Sequence, residues 1–437
     1  MKYYFVGIKG AGLSALAVIL KELGHEITGY DDAKTFEFTE NKLIDNQIKY
    51  YTAANNAMDT DSIIIRSAAI KDTHPEIKKA QAMDLKIYEY NEMLGNLSEQ
   101  YESITVSGCH GKTTTTSMLA TVLNNTIGIN YLIGDGSGYV KKENTKFVFE
   151  ACEYRRHFLV YDPTYAIITN IELDHTDYFK DIEDYKNAFE EYANKAKKMV
   201  IAYGDDPYIH DLKITKPIIY FGTGDSNDVV AKNIKYSADG ITFDCYIKGN
   251  LYSTFDLPFY GEHNLLNALA TITTCYVLGL EGIEVANNLK LFNGAARRFS
   301  EITIGDNIIV DDYAHHSKEV EVTIKAARQK YPDKKIVSVF EPHSFSRVVD
   351  LDQEFADALN LSDYSYVLPI YPSRDNPADY PGITNDMIIS KLKVGEEITN
   401  DTSSKLFTHT NTVFLFMSLK EIHKIKDDLL NYLNKAN

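Results

Sequence analysis

An apolar strand from Ser103 to Val106 runs straight into Ser107-Gly108-Cys109-His110-Gly111-Lys112-Thr113, and a helical pattern from Thr114 to Leu123 follows. A strand that delivers a glycine loop onto a helix N-terminus is half of a parallel βαβ unit, and it aims backbone N–H groups and the positive end of the helix at an anion. In such a loop Lys112 reaches the terminal phosphates of a nucleotide and the Thr113 hydroxyl holds Mg²⁺. The general spacing asks for glycine where Val106 stands, so this is a shortened form of the loop.

The rest of the chain repeats that alternation. Strand Lys2 to Ile8, a glycine turn, helix Gly12 to Leu23 and strand Glu26 to Tyr30 open a nucleotide-binding unit that strands Ser62 to Arg66 and Lys86 to Tyr88 extend. The polar stretch Gly95 to Ser103 reads as a linker. Beyond the phosphate loop, strands Phe147 to Glu150 and Ala166 to Asn170 have the apolar content of a covered parallel sheet. Val229 to Phe255 alternates around Ala238-Asp239-Gly240 as an antiparallel hairpin, and helix Asn264 to Leu278 precedes a boundary at Phe292 to Phe299. Strand Asn307 to Asp311, helix Lys318 to Lys330, strand Lys335 to Phe340, helix Leu351 to Leu359, and strands Tyr364 to Ile370 and Thr412 to Phe416 make a third unit. At 437 residues the chain exceeds one hydrophobic core. The expectation is an α/β protein of three consecutive domains: a Rossmann-like domain over 1–99, a P-loop ATPase-like domain with a parallel sheet and small hairpin over 100–296, and a second Rossmann-like domain over 297–437.

A net charge of -17 repels a nucleic-acid backbone over most of the surface, which argues against that class of partner. The four cysteines, Cys109, Cys152, Cys245 and Cys275, are scattered without a Cys-x-x-Cys pair, as suits a reducing cytoplasm. Gly7 to Gly12 interrupts the apolar N-terminus, so it reads as strand and turn rather than signal peptide. No apolar run approaches the roughly 20 residues that span a bilayer, and no membrane association is expected.

Further segments give the phosphate loop a family. Ser107 to Thr113, Glu150-Ala-Cys-Glu-Tyr-Arg-Arg-His-Phe158, Thr169-Asn-Ile-Glu-Leu-Asp-His175, Gly261-Glu-His-Asn264 with Asn267, Arg297-Arg298-Phe299, Asp311-Asp-Tyr-Ala-His-His316, and Pro342-His343 with Ser346-Arg347 occur in order over nearly the whole chain. Together they resemble the Mur ligase family, and within it the branch that adds L-alanine to UDP-N-acetylmuramic acid. The resemblance implies ATP with Mg²⁺ or Mn²⁺ on the middle domain, the UDP-sugar on the first, the amino acid near the third, and amide formation through an acyl phosphate.

Each segment then acquires an expected role. Gly108, Cys109, His110, Gly111, Lys112, Thr113 and Thr114 cradle the phosphates, with Thr113, Glu150 and His175 on the metal. Asn264 alone would cap a helix; the resemblance instead implies that Asn264 and Asn267 meet adenine, with His263 nearby. Arg298 is implied for the transferred phosphoryl group, Arg297 being the alternative, and Asp312 for ATP or metal. Lys112, Glu150, His175 and Arg298 form the implied catalytic set. In the first domain Gly10, Ala11, Gly12 and Ser14 lie under the UDP pyrophosphate, Asp31 near the uridine end, and Ser67 beside the nucleotide; read bare, that glycine turn would favour NAD. His343 and Arg347 belong to the alanine pocket. Two positions depart from the family: Cys109 stands where Thr or Ser is usual, and Met417-Ser418-Leu419-Lys420 replaces a Gly-Ala-Gly-Asp turn, which predicts an altered C-terminal site. The rival readings are a sister ligase that adds glutamate, a relative that has lost catalysis, and an NAD-dependent oxidoreductase, which would leave Gly111-Lys112-Thr113 unemployed.

Overall fold

In the computed structural model, apolar strands alternate with amphipathic helices, and among the described residues the strands form three sheets. All residues are described except 35, 36, 38, 54–56, 176, 177, 296, 374, 420, 421 and 437, and residues 423 and 436 are given without their side chains. The chain divides into two units, one of Met1–Asn233, Phe243–Phe255 and Leu266–Phe292, the other of Ile234–Thr242, Asp256–Leu265 and Asn293–Asn437.

The first unit holds a parallel sheet in the order Lys49–Tyr51, Glu26–Tyr30, Lys2–Val6, Ser62–Arg66, Ile87–Glu89. Its central strand is buried on both faces. Tyr3 and Phe5 pack with helix Ala11–Glu22, while Tyr4 and Val6 pack with Ile77 and Ala80 of helix Pro75–Ala82. Connections leave Lys2–Val6 in opposite directions, so the glycine turn after it opens where the strand order reverses, the crevice where such sheets take ligands.

The ten-stranded sheet runs from three peripheral strands, Val229–Ser237, Gly240–Ile247 and Asn250–Leu257, through Ile218–Gly222, Met199–Tyr203, Tyr165–Ile168, Glu102–Ser107, Lys146–Glu150 and Asn130–Leu132 to Gly138–Tyr139. The expected hairpin therefore carries a third strand, because Lys248-Gly249 makes a second tight turn with both residues at positive φ. The expected linker is also different: Gly95 to Ser98 closes a helix, Tyr90–Ser98, and Glu102–Ser107 is already strand. A capping box between Glu89 and Glu92 starts that helix, and Met93, Leu94 and Leu97 bury one face of it. Its polar composition hid that narrow stripe.

The second unit has the order Ser300–Ile304, Asn307–Asp312, Thr412–Met417, Lys335–Phe340, Tyr364–Val367, Gly395–Glu397, parallel except for its first pair. Strand Thr412–Met417 shows why both faces are covered: Val413, Leu415 and Met417 meet helices Ser317–Lys330 and Phe345–Leu359, while Phe414 and Phe416 meet Ile425 and Leu429 of helix His423–Ala436. The helix expected from Leu351 begins six residues earlier, at Phe345, where the Ser344 Oγ accepts the Arg347 N–H. Leu351 itself sits at a kink.

Candidate functional site

Strand register assembles the candidate phosphate site. Val106 pairs with Glu150 and Ser107 with Ile168, so the loop leaving Glu102–Ser107 emerges between Glu150 and the segment that begins at Thr169. Gly108 has φ +131° and Gly111 +83°, conformations that L side chains rarely adopt. A Cβ on Gly108 would stand 2.1 Å from Thr169 Oγ1, and one on Gly111 2.3 Å from Asn267 Oδ1. Thr169 Oγ1 and Asn170 Nδ2 donate to the His110 carbonyl at 2.6 and 2.9 Å, and Asn170 Oδ1 accepts the His110 N–H. The Cys109 N–H makes a long bond of 3.4 Å to Asn170 O. The first bond of helix Lys112–Thr126 runs from Thr115 N–H to Gly111 O, so the amides of Lys112, Thr113 and the half-buried Thr114 have no intrahelical acceptor and open toward an anion.

Charged groups converge over that helix end. Thr113 Oγ1 donates to Glu150 Oε2 at 3.2 Å, and Glu150 Oε1 accepts the Gly134 N–H. Lys112 Nζ lies 3.1 and 3.0 Å from the two Glu153 oxygens and also donates to the Gly108 carbonyl. His175 Nε2 is 3.5 Å from Glu153 Oε1, and its ring leans on Tyr154 at 4.6 Å. Burial works to raise the Glu153 carboxyl, but Lys112 and His175 outweigh it and hold the group below the ordinary range. Burial pulls Lys112 down, and Glu153, joined by Cys152 and Cys109, leaves it above the ordinary range. Cys109 lies on the inner side of the loop, where its thiol bonds Tyr185 OH at 3.0 Å and burial pushes it well above the usual thiol range.

The N-terminal turn is held from behind. Asp31 accepts the Lys9 N–H at 2.8 Å and the Ala33 N–H at 2.9 Å, so it braces the turn. Gly10 is the N-cap of helix Ala11–Glu22, Ser14 Oγ donates to Ala11 O, and Ser67 Cβ would lie 3.0 Å from a Cβ on Gly7. Gly10, Ala11, Gly12, Ser14 and Ser67 are thus brought to one turn. A Cβ on Gly12 would meet Tyr90 Cζ at 2.7 Å.

Asn267 accepts from Thr115 Oγ1 at 3.2 Å and so leans on the phosphate loop's helix. In the second unit, Asn264 lies inside helix Glu262–Val277 and its Nδ2 donates back to Tyr260 O at 2.9 Å, which differs from the N-cap expected of an isolated Asn there, and His263 lies against Gly261. Arg297 is 8% exposed and engaged by Asp311 and by the Ser418 and Leu419 carbonyls, whereas the Arg298 side chain is 29% exposed and 3.9 Å from Glu319. Asp312 accepts the Phe299 and Ala314 N–H groups, both at 2.8 Å, and burial pushes its carboxyl up. Arg347 Nη1 lies 3.4 Å from His343 Nδ1, and His315 meets the His343 ring edge-on at 5.7 Å. The Met417 to Lys420 departure is pinned by Ser418 Oγ to Glu341 at 2.6 Å and by Arg297; Lys420 lies outside the described residues. Arg297→Ala should destabilise the protein by about 2 kcal/mol, since it takes the donor from the Ser418 and Leu419 carbonyls while Asp311 keeps its pair with Lys426. An unchanged thermal midpoint would refute that account.

Three family descriptions match in succession: Mur ligase family, catalytic domain, over residues 2–102; Mur ligase middle domain over 106–275; and Mur ligase, glutamate ligase domain, over 297–413. The chain belongs to the Mur ligase family. Among solved structures, UDP-N-acetylmuramate–alanine ligase of Thermotoga maritima is 27% identical over 100% of both chains with a TM-score of 0.84. A murein peptide ligase of Psychrobacter arcticus (22%, covering 99% of this chain and 98% of its own, TM-score 0.73) and a pseudomurein peptide ligase type C of Methanothermus fervidus (17%, 100% of both, 0.66) share the fold. Mur ligases use ATP and Mg²⁺. No helix among the described residues is long and apolar enough to cross a membrane.

Two residues of this Mur ligase were missed in the sequence. Glu153 stands three places after Glu150 in the quoted segment, and its burial against Lys112 was invisible there. Tyr90 fills the gap over Gly12, and Glu150 is among the charges that, after burial, push its hydroxyl up.

Proposed function

We propose that the chain is a cytoplasmic ligase that uses ATP to join L-alanine to the carboxylate of UDP-N-acetylmuramic acid in peptidoglycan precursor synthesis. The convergence of Lys112, Thr113, Glu150 and His175 on one helix N-terminus carries the ATP-dependent part. The choice of alanine is supported by the full-length likeness to the Thermotoga alanine ligase and by the His343–Arg347 contact.

A carboxylate cannot acylate an amine at neutral pH, because its charge repels the nucleophile and oxide is no leaving group. Attack of the carboxylate oxygen on the γ-phosphorus of ATP forms an acyl phosphate and releases ADP. The amine then adds to the acyl carbon, loses a proton, and expels phosphate. Loop amides and Lys112 hold the phosphates and bear the charge that develops on the transferred group. A hydroxyl, a carboxylate and an imidazole suit Mg²⁺ or Mn²⁺, which Thr113, Glu150 and His175 would hold and which would withdraw charge from the phosphoryl oxygens. With Arg297 engaged in structure, Arg298 is the guanidinium for the phosphoryl group. In the third domain Arg347 would pair with the amino acid's carboxylate, braced by His343.

Phosphate release with ATP and UDP-N-acetylmuramic acid should require L-alanine, in preference to glycine, L-serine or D-glutamate. Because the C-terminal match is described as a glutamate ligase domain, D-glutamate is the competing acceptor; release that depends on it would replace this reading. Arg347→Ala should raise the KM for the amino acid about tenfold or more while the KM for ATP stays put, as loss of a charge-assisted bidentate pair predicts. Equal rises in both would remove Arg347 from the pocket.

A further inference from the structure

Glu153 has no part in the mechanism above, yet it is 1% exposed and its two oxygens lie 3.1 and 3.0 Å from Lys112 Nζ. The backbone that delivers it is strained: Arg155 and Arg156 follow at φ +52° and +58°, and His175, 3.5 Å away, sits at φ +56°. Non-glycine residues persist there only when their surroundings over-determine them. Here Arg156 pairs with Asp184 at 2.7 Å and Tyr154 packs on His175 at 4.6 Å.

An ammonium enclosed in protein needs an anion beside it, and Glu153 supplies one to Lys112 before any nucleotide arrives. A triphosphate brings a second, larger negative charge to the same ammonium. One lysine cannot compensate both, so nucleotide and Glu153 repel each other in a poorly solvated site unless further positive charge accompanies the nucleotide. We infer that Glu153 is an internal anion that occupies Lys112 in the nucleotide-free enzyme and makes the loop reject ATP that lacks a divalent cation. This rests on the reading of the loop as the ATP site. Glu153 acts through Lys112 and is a positioning residue; its carboxylate makes metal-free nucleotide the wrong ligand.

The test is calorimetric binding of ATP to the full chain, in EDTA and in Mg²⁺. Glu153→Gln keeps the length and a hydrogen-bonding oxygen but removes the charge. It should bind metal-free ATP about tenfold tighter than the parent, equivalent to about 1.4 kcal/mol, and Mg²⁺-ATP within about threefold of it. Glu153→Asp, which keeps the charge, should stay weak in EDTA. Metal-free affinity unchanged or weakened in the glutamine variant would overturn the proposal, as would an equal gain with and without Mg²⁺. If thermal unfolding shows that variant to be unfolded, Glu153→Asn carries the same expectation. A parent chain that fails to bind ATP even with Mg²⁺ would overturn the ATP-site reading itself, a result distinguishable from the others.

Discussion

Lys112→Ala is expected to lower ATP-dependent phosphate release by about 10²–10³-fold or more, the scale of removing a preorganised charge from a phosphoryl-transfer site. Binding of UDP-N-acetylmuramic acid should change little, because the glycine turn after Lys2–Val6 belongs to another sheet and is braced by its own Asp31. The substitution also takes its ammonium partner from the buried Glu153 and leaves His175, 3.5 Å away, beside it, so the variant should unfold at a lower temperature than the parent. Turnover and UDP-sugar binding are therefore compared well below that temperature. If both fall together, the division of substrates between the first two domains is wrong.

Gly108→Ala is expected to cost about 2–5 kcal/mol of stability, the sum of a strained backbone and an overpacked contact. The φ of +131° penalises any L side chain, and the new Cβ would lie 2.1 Å from Thr169 Oγ1 and 3.0 Å from Asn170 N. Thr169 and Asn170 hold the His110 carbonyl, so their displacement opens the loop, and ATP affinity should fall at least about tenfold with it. Adding Thr169→Ala removes the contact with the hydroxyl and leaves the φ penalty, so it should recover part of the stability and no more. A Gly108→Ala protein with an unchanged unfolding midpoint would refute the close packing of the loop on Thr169.

Much of the architecture was legible because its signals are local. The period-2 and 3.6 patterns marked Glu26–Tyr30, Ser62–Arg66 and Lys335–Phe340 to the residue, and helix Lys112–Thr126 within three residues at each end. Where a pattern was shared by two states, position decided. Gly95 to Ser103 is polar enough for a linker, yet its first four residues close helix Tyr90–Ser98 and Leu97 is buried there. The helix at Phe345–Leu359 was read six residues short; its backbone kinks at Leu351, although buried Val348, Phe355 and Leu359 keep a helical spacing through it.

By itself the sequence determined the glycine loop ahead of helix Lys112–Thr126, the succession of α/β units and the family, since glycine spacing, strand–helix alternation and motif order are properties of a line of residues. Tertiary structure alone decided which side chains are spent on holding the fold. Asp31, Arg297 and Asp312 offer charge in the sequence, and each is consumed by backbone groups of its own unit. Glu153 looked like one more acidic residue, and only the fold buries it beside Lys112. Burial and pairing depend on which segments meet, and no spacing along the chain encodes that.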